Sequence, residues 1–159
     1  MGANHHPWPA KRMEMTTGRR IGNAVMDRLV TWNLVPRTVM LTTVGRKTGQ
    51  HRRTPVARIH RSGHLYLVAP YGPVGWVWNA RAAGAVRITG SVDGTKTDAE
   101  YATREVEALE AGPVLKDYWQ TAAAVRSYFD VPKGAPVEAF VREAHCHPVF
   151  ELTRVRDVD

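Results

Sequence analysis

The sequence predicts an α+β fold in which six antiparallel strands close into a small barrel, with one helix ahead of them and further helices inserted. Three observations carry this reading. Runs rich in β-branched residues are joined by short glycine turns such as Ser62-Gly63 and Asp93-Gly94, which is hairpin chemistry. Helical periodicity comes in blocks set between or after the strands and does not alternate with them. A sheet of this size also loses its exposed edges if it closes on itself.

Residues 1–18 hold Pro7, Pro9 and two histidines with little periodicity, and are expected to form a flexible lead-in to a single domain over 19–159. From Arg19 to Leu34, Ile21, Val25, Met26, Leu29 and Val30 recur at helical spacing, and Pro36 ends the pattern. Arg19, Arg20 and Arg28 make one face of this helix basic, so it covers an end of the sheet, closes over a ligand or meets a membrane. Arg37 to Val44 reads as the first strand and His51 to His60 as the second, in which Pro55 calls for an edge, a bulge or a strand end. His64 to Val68 is the third strand. A two-proline turn, Ala69 to Pro73, leads into a short helix from Val74 that Gly84 stops.

Val86 to Thr89 and Thr95 to Ala102 pair across Asp93-Gly94 as strands four and five. From Glu105 onward Val106, Leu109, Val114, Leu115, Tyr118 and Trp119 supply an apolar helical face, interrupted at Gly112-Pro113. A further turn reaches Tyr128-Phe129, Pro136 to Glu143 forms a last short helix, and Pro148 to Thr153 is the closing strand.

At 159 residues the chain is long enough to bury a proper core. No stretch approaches the roughly 20 apolar residues that span a bilayer, and the N-terminus lacks the apolar centre of a signal peptide. The single cysteine, Cys146, rules out an internal disulfide framework. A cytoplasmic location is expected, with membrane association through the basic helix as the alternative. Charge is uneven: residues 1–64 carry 12 Lys/Arg against 2 Asp/Glu, a net of +10, and the remainder 10 against 13, a net of −3. Such a surface collects anions, whether nucleic acid, acidic lipid or a phosphorylated small molecule.

Catalytic signatures of the familiar kinds are absent: there is no Gly-x-Ser-x-Gly elbow, phosphate-binding lysine loop or paired-histidine spacing. His145-Cys146-His147 reads as a strand entry and not as a metal site, because adjacent residues rarely converge on one ion. Two features remain. Gly45-Arg46-Lys47-Thr48-Gly49-Gln50, followed by Arg52 and Arg53, gathers four cations around one turn. Backbone amides there could cradle a phosphate while the cations neutralise it, or the bend is a solvated hairpin tip. Some twenty residues later Tyr71, Trp76 and Trp78 cluster around a Pro-Gly turn. An aromatic ligand with a phosphate tail would use both features, and a redox cofactor of that shape would carry the reaction without a protein triad. Tryptophans that simply fill the core are the plainer reading.

The run Leu41-Thr42-Thr43-Val44-Gly45-Arg46-Lys47-Thr48-Gly49-Gln50 with Arg52 and Pro55 resembles the deazaflavin-dependent nitroreductase and quinone reductase family. So does Ala69-Pro70-Tyr71-Gly72 through Gly75-Trp76-Val77-Trp78-Asn79-Ala80-Arg81-Ala82, and His147 to Leu152 is similar to that family's last strand. The resemblance implies a six-stranded antiparallel split β-barrel and an F420H2-dependent oxidoreductase acting on a quinone, nitroaromatic or similar small-molecule acceptor. It implies that Arg46, Lys47, Thr48, Gly49, Gln50 and Arg52 hold the phosphate and glutamyl tail of F420. Pro55, Ala57, Ala69, Pro70, Tyr71 and Gly72 would line the deazaflavin, with Trp76 and Asn79 opening the covering helix and Tyr71 as the candidate proton donor. Nitroimidazole-reducing members carry Ser-Lys where this chain has Pro70-Tyr71 and Tyr where it has Ala57, and their Tyr-rich C-terminal stretch is matched only loosely by Tyr118 and Tyr128. FMN is the alternative cofactor. The competing class is a non-enzymatic binder of nucleic acid or anionic lipid; with no nucleic-acid motif and the cations gathered on one bend, no nucleic-acid partner is expected. A homodimer stays open.

Overall fold

The computed structural model describes residues 37–158. The expected lead-in and the helix from Arg19 to Leu34 lie outside them. Six strands form a closed barrel in the order β1-β2-β3-β6-β5-β4, every neighbouring pair antiparallel. They are β1 (Thr38–Val44), β2 (His51–Arg61), β3 (His64–Val68), β4 (Ala85–Val92), β5 (Thr95–Glu105) and β6 (Val149–Asp157). Two of the hairpins are the tight kind that glycine makes cheap: Ser62 and Gly63 have φ of 51° and 80°, and Asp93 and Gly94 of 52° and 77°.

Pro55 sits at an open edge, as its chemistry demands. Gly45 donates its amide to Gln50 O at the turn (2.7 Å), and Arg58 donates to Arg37 O at the far end (2.8 Å). Bonded and non-bonded pairs alternate along an antiparallel ladder, so the pair Met40↔Pro55 is a non-bonded one. The backbone edges of Arg53, Pro55 and Ala57 therefore face away from β1. Pairing of β2 with β3 begins only at Arg58, so the two strands splay before that point. A proline costs no ladder bond there.

Among the described residues three helices accompany the barrel, α1 (Gly75–Ala83), α2 (Ala108–Thr121) and α3 (Val137–Glu143), with 3-10 turns at Ala123–Tyr128 and Ala144–Cys146. Strand alternation sends Val39, Leu41, Leu65, Leu67, Val86, Ile88, Phe150 and Leu152 into the barrel, where Trp76, Val77 and Ala80 of α1 cap them. A second apolar cluster lies outside the barrel wall, where Ile59, Tyr66, Val68 and Val149 meet Val114, Leu115, Tyr118, Phe129 and Phe140.

The expected interruption at Gly112-Pro113 does not occur. Helix α2 runs through Pro113, which falls early enough in it to forfeit one hydrogen bond, to the carbonyl of the exposed Leu109. Gly112 has its own reason: a Cβ there would lie 2.4 Å from Val141 Cγ2, so its absence lets α2 and α3 pack closely. Leu109, expected on the buried face, is 81% exposed. No described helix is long and apolar enough to cross a membrane.

Candidate functional site

A cavity of about 790 Å³ opens where β2 and β3 splay. Its rim is the β1–β2 hairpin and its far wall is the segment Val68–Tyr71 with Val74, Gly75, Trp76 and Asn79 of the α1 entry. Of the residues singled out in the sequence, Arg46, Lys47, Thr48, Arg52, Pro55, Ala57, Ala69, Pro70, Tyr71, Trp76 and Asn79 line it. Gly49, Gln50 and Gly72 do not. Gly49 (φ 68°) and Gly72 (φ 83°) shape the turns on either side instead.

The bend differs from an amide cradle. Gly49 and Thr48 both donate their amides to Gly45 O (2.7 and 3.2 Å), and Gln50 donates to Thr48 Oγ1 (3.3 Å). The amide of Arg46 donates to Asn79 Oδ1 at 3.1 Å. These amides are spent inside the protein, so most of any grip on an anion falls to side chains. The turn is correspondingly rigid: a Cβ on Gly45 would stand 2.8 Å from Thr48 Oγ1 and 3.2 Å from Gln50 O. Asn79, 7% exposed, fastens the bend to the helix, because its Nδ2 also donates to Thr43 Oγ1 at 3.1 Å.

Among the described residues Arg46, Lys47 and Arg52 make no salt bridge, whereas many cations elsewhere are matched. Arg81 grips Glu105 through two bonds of 2.7 and 2.6 Å. Arg87 does the same to Asp98, holding that carboxyl below the usual carboxylate range. Arg58, Arg61, Arg104, Arg154 and Arg156 also have carboxylate partners. Arg46 leans instead toward the ring of Trp78, 5.8 Å from its centroid, with Arg81 at 4.8 Å from the same ring. Trp78 is 41% exposed, while Trp76 is buried with its ring 5.6 Å from Phe150. Trp76 is thus both core and cavity wall.

Arg53 also lines the cavity. Alternation does send its side chain to the face opposite Arg52, where it influences Asp98. The cavity, however, runs along the open backbone edge of β2, so residues of both faces border it.

The inner end is apolar and aromatic. Tyr71 is half-buried and packs edge-on against Tyr128 at 4.6 Å. Tyr118 of α2 reaches the cavity as well, and burial, then the nearby Tyr71, pushes its phenol well above its ordinary value. It stays protonated at physiological pH and is available as a donor. Position alone could not have singled it out, since Tyr118 comes to the site only through the packing of α2 on the barrel.

His145 turns its Nδ1 to Arg142 O and lies with Nε2 3.3 Å from Cys146 Sγ, whose thiol is pushed up to about 11 by burial and then by Glu143. His147 points to the back of the cavity wall. No group of three or more His, Cys, Asp or Glu among the described residues is arranged to hold a metal.

Solved structures similar to this chain include the following three. One, described as a domain-swapped dimer, has a TM-score of 0.50 and 20% identity, covering 86% of this chain and 96% of its own. HutZ, the heme storage protein from Vibrio cholerae, has a TM-score of 0.54 and 11% identity, with 81% of this chain and 89% of its own covered. An F420-H2 dependent reductase, FDR-A, has 24% identity over 74% of this chain and 95% of its own, with a TM-score of 0.43. The first two share the fold. The family model for F420H(2)-dependent quinone reductase matches residues 10–131, most of the chain, and spans both the basic bend and the cavity wall. The chain therefore belongs to the F420H(2)-dependent quinone reductase family, and is an F420-dependent oxidoreductase.

Proposed function

We propose that this chain reduces a quinone, nitroaromatic or similar activated acceptor, with Arg46, Lys47 and Arg52 holding the phosphate and glutamyl tail of F420. One observation carries the proposal: cations without carboxylate partners among the described residues stand at one end of a cavity whose other end is aromatic. The cavity's size is that of an ordinary small-molecule site, roughly 300–1,000 Å³, and its donor set suits a planar ring with an anionic tail. When bound, the reduced deazaflavin supplies the hydride.

The chain's own residues bind, orient and exclude water. Arg46, Lys47 and Arg52 neutralise the tail. Thr48, whose Oγ1 accepts from Gln50, keeps its hydroxyl hydrogen to donate. Ala57 leaves room beside Pro55 on the open edge of β2 for a flat ring. Ala69, Pro70 and the buried Trp76 keep the inner end dry. Tyr71 sits where a phenol can give a proton to a reduced acceptor, and Tyr118 is the second hydroxyl of that end. Homodimerisation belongs to the same proposal, supported by the neighbour described as a domain-swapped dimer; sedimentation reads it directly. Titration of the protein with F420 and with FMN, followed by turnover of a quinone panel with reduced F420, tests the reading. Tight binding of F420 is expected, together with two-electron oxidation of reduced F420 by a quinone, which becomes the hydroquinone as the absorbance of oxidised F420 returns. Tight binding of FMN with none of F420 would overturn it.

A further inference from the structure

We propose that His147 is a positioning residue for the cavity, holding the carbonyl of Pro70 and so fixing the Ala69–Gly72 turn that forms one wall. The inference rests on the cofactor reading above only in its affinity arm.

His147 is fully buried, immediately ahead of β6. Its Nδ1 lies 2.8 Å from Pro70 O, its Nε2 3.2 Å from Glu143 Oε2, and its ring stacks on Phe129 at 3.9 Å and 22°. A backbone carbonyl only accepts, so Nδ1 donates to Pro70 O, while Nε2 faces the Glu143 carboxyl. Glu143 also accepts the Asp130 amide at 3.3 Å, and its carboxyl is held low first by the His147 bond. The imidazole thus bridges α3 to the cavity wall. Next to this contact, Ala69 donates to Pro148 O at 2.9 Å, and within the turn Gly72 donates to Ala69 O at 3.3 Å. Two neighbouring clamps therefore tie successive residues, Ala69 and Pro70, to the chain entering β6. Both residues line the cavity, as does Tyr71 after them. A buried polar ring is costly unless satisfied, and an apolar residue would fill the same space. What the ring adds is a donor to Pro70 O at one end and a polar contact to Glu143 at the other.

The two ends can be separated. Asparagine carries its amide nitrogen at the distance of Nδ1 from the backbone, and glutamine at that of Nε2. His147→Asn keeps the link to Pro70, whereas His147→Gln keeps the link to Glu143. In the cofactor-free protein, His147→Gln is expected to speed amide exchange at Tyr71 and Gly72 by about tenfold, and to weaken F420 binding by about tenfold, the equivalent of one lost hydrogen bond. His147→Asn should leave both near the parent even where its melting temperature falls. Equal effects of Asn and Gln, or changes that merely follow melting temperature, would overturn the proposal. A parent protein that fails to bind F420 would sink the cofactor reading, while the exchange arm would still decide the role of His147. Should neither variant fold, the parent serves: a slowly exchanging Nδ1 proton coupled through the hydrogen bond to the Pro70 carbonyl is expected in its NMR spectrum, and its absence would overturn the assignment.

Discussion

The β1–β2 bend and the β4–β5–β6 face are both rich in arginine, yet they use it in opposite ways. On the second, Arg87, Arg104 and Arg156 are matched with Asp98, Glu110, Glu151 and Glu100. On the first, Arg46, Lys47 and Arg52 face a cavity with no carboxylate partner among the described residues. The matched set neutralises itself and solubilises the barrel, each exposed pair adding only about 0.2–1 kcal/mol. The unmatched set retains its field for something else. Arginine content alone does not separate the two faces; the placement of carboxylates does.

The largest test of that contrast removes two bend cations together. Lys47→Ala with Arg52→Ala should weaken F420 binding by about two decades or more, since a charge-assisted contact contributes roughly 1.5–3 kcal/mol. Arg156→Ala should leave affinity at the parent value. Asn79→Ala comes next. It strips the Arg46 amide and the Thr43 hydroxyl of a buried partner, so thermal unfolding should report a loss of about 2 kcal/mol. Affinity should fall by about tenfold, because the bend loses its tie to α1.

A smaller effect concerns the wall and not the bend. The folded-state carboxyl of Glu143 is held low, first by its hydrogen bond from His147. Its contribution is present above the ordinary carboxylate value and is lost as pH falls through its lowered folded value. Thermal melts of the parent and Glu143→Gln should therefore differ at neutral pH and converge in acid. A still smaller effect is expected at Arg53, which borders the cavity but whose side chain lies toward Asp98 on the face of β2 opposite Arg52. Arg53→Ala should change F420 affinity by about threefold at most, within the range of a screened surface charge.

What the sequence made legible is mostly local. Asp93-Gly94 and Ser62-Gly63 announce hairpins because their backbone angles are ones glycine adopts without strain. Pro55 announces an edge because it has no donor to give. Pro113 misleads for the converse reason: its missing donor costs one bond, and the closeness of Val141 to Gly112 keeps the helix intact. The cations of the bend could be read, but the fate of its amides could not, since Asn79 reaches the bend from 33 residues away. Tyr118 and His147 belong to the site only through tertiary packing, which no local pattern records.

The most direct test of the unmatched-cation account is a set of F420 titrations at low salt on the parent, Lys47→Ala, Arg52→Ala and Arg156→Ala, with melting temperatures measured alongside. The account predicts that the two bend variants each bind about one to two decades more weakly. It also predicts that Arg156→Ala binds as the parent does and that all four proteins melt nearly together. Equal affinity across the set would contradict it and return the bend to the status of a solvated hairpin tip.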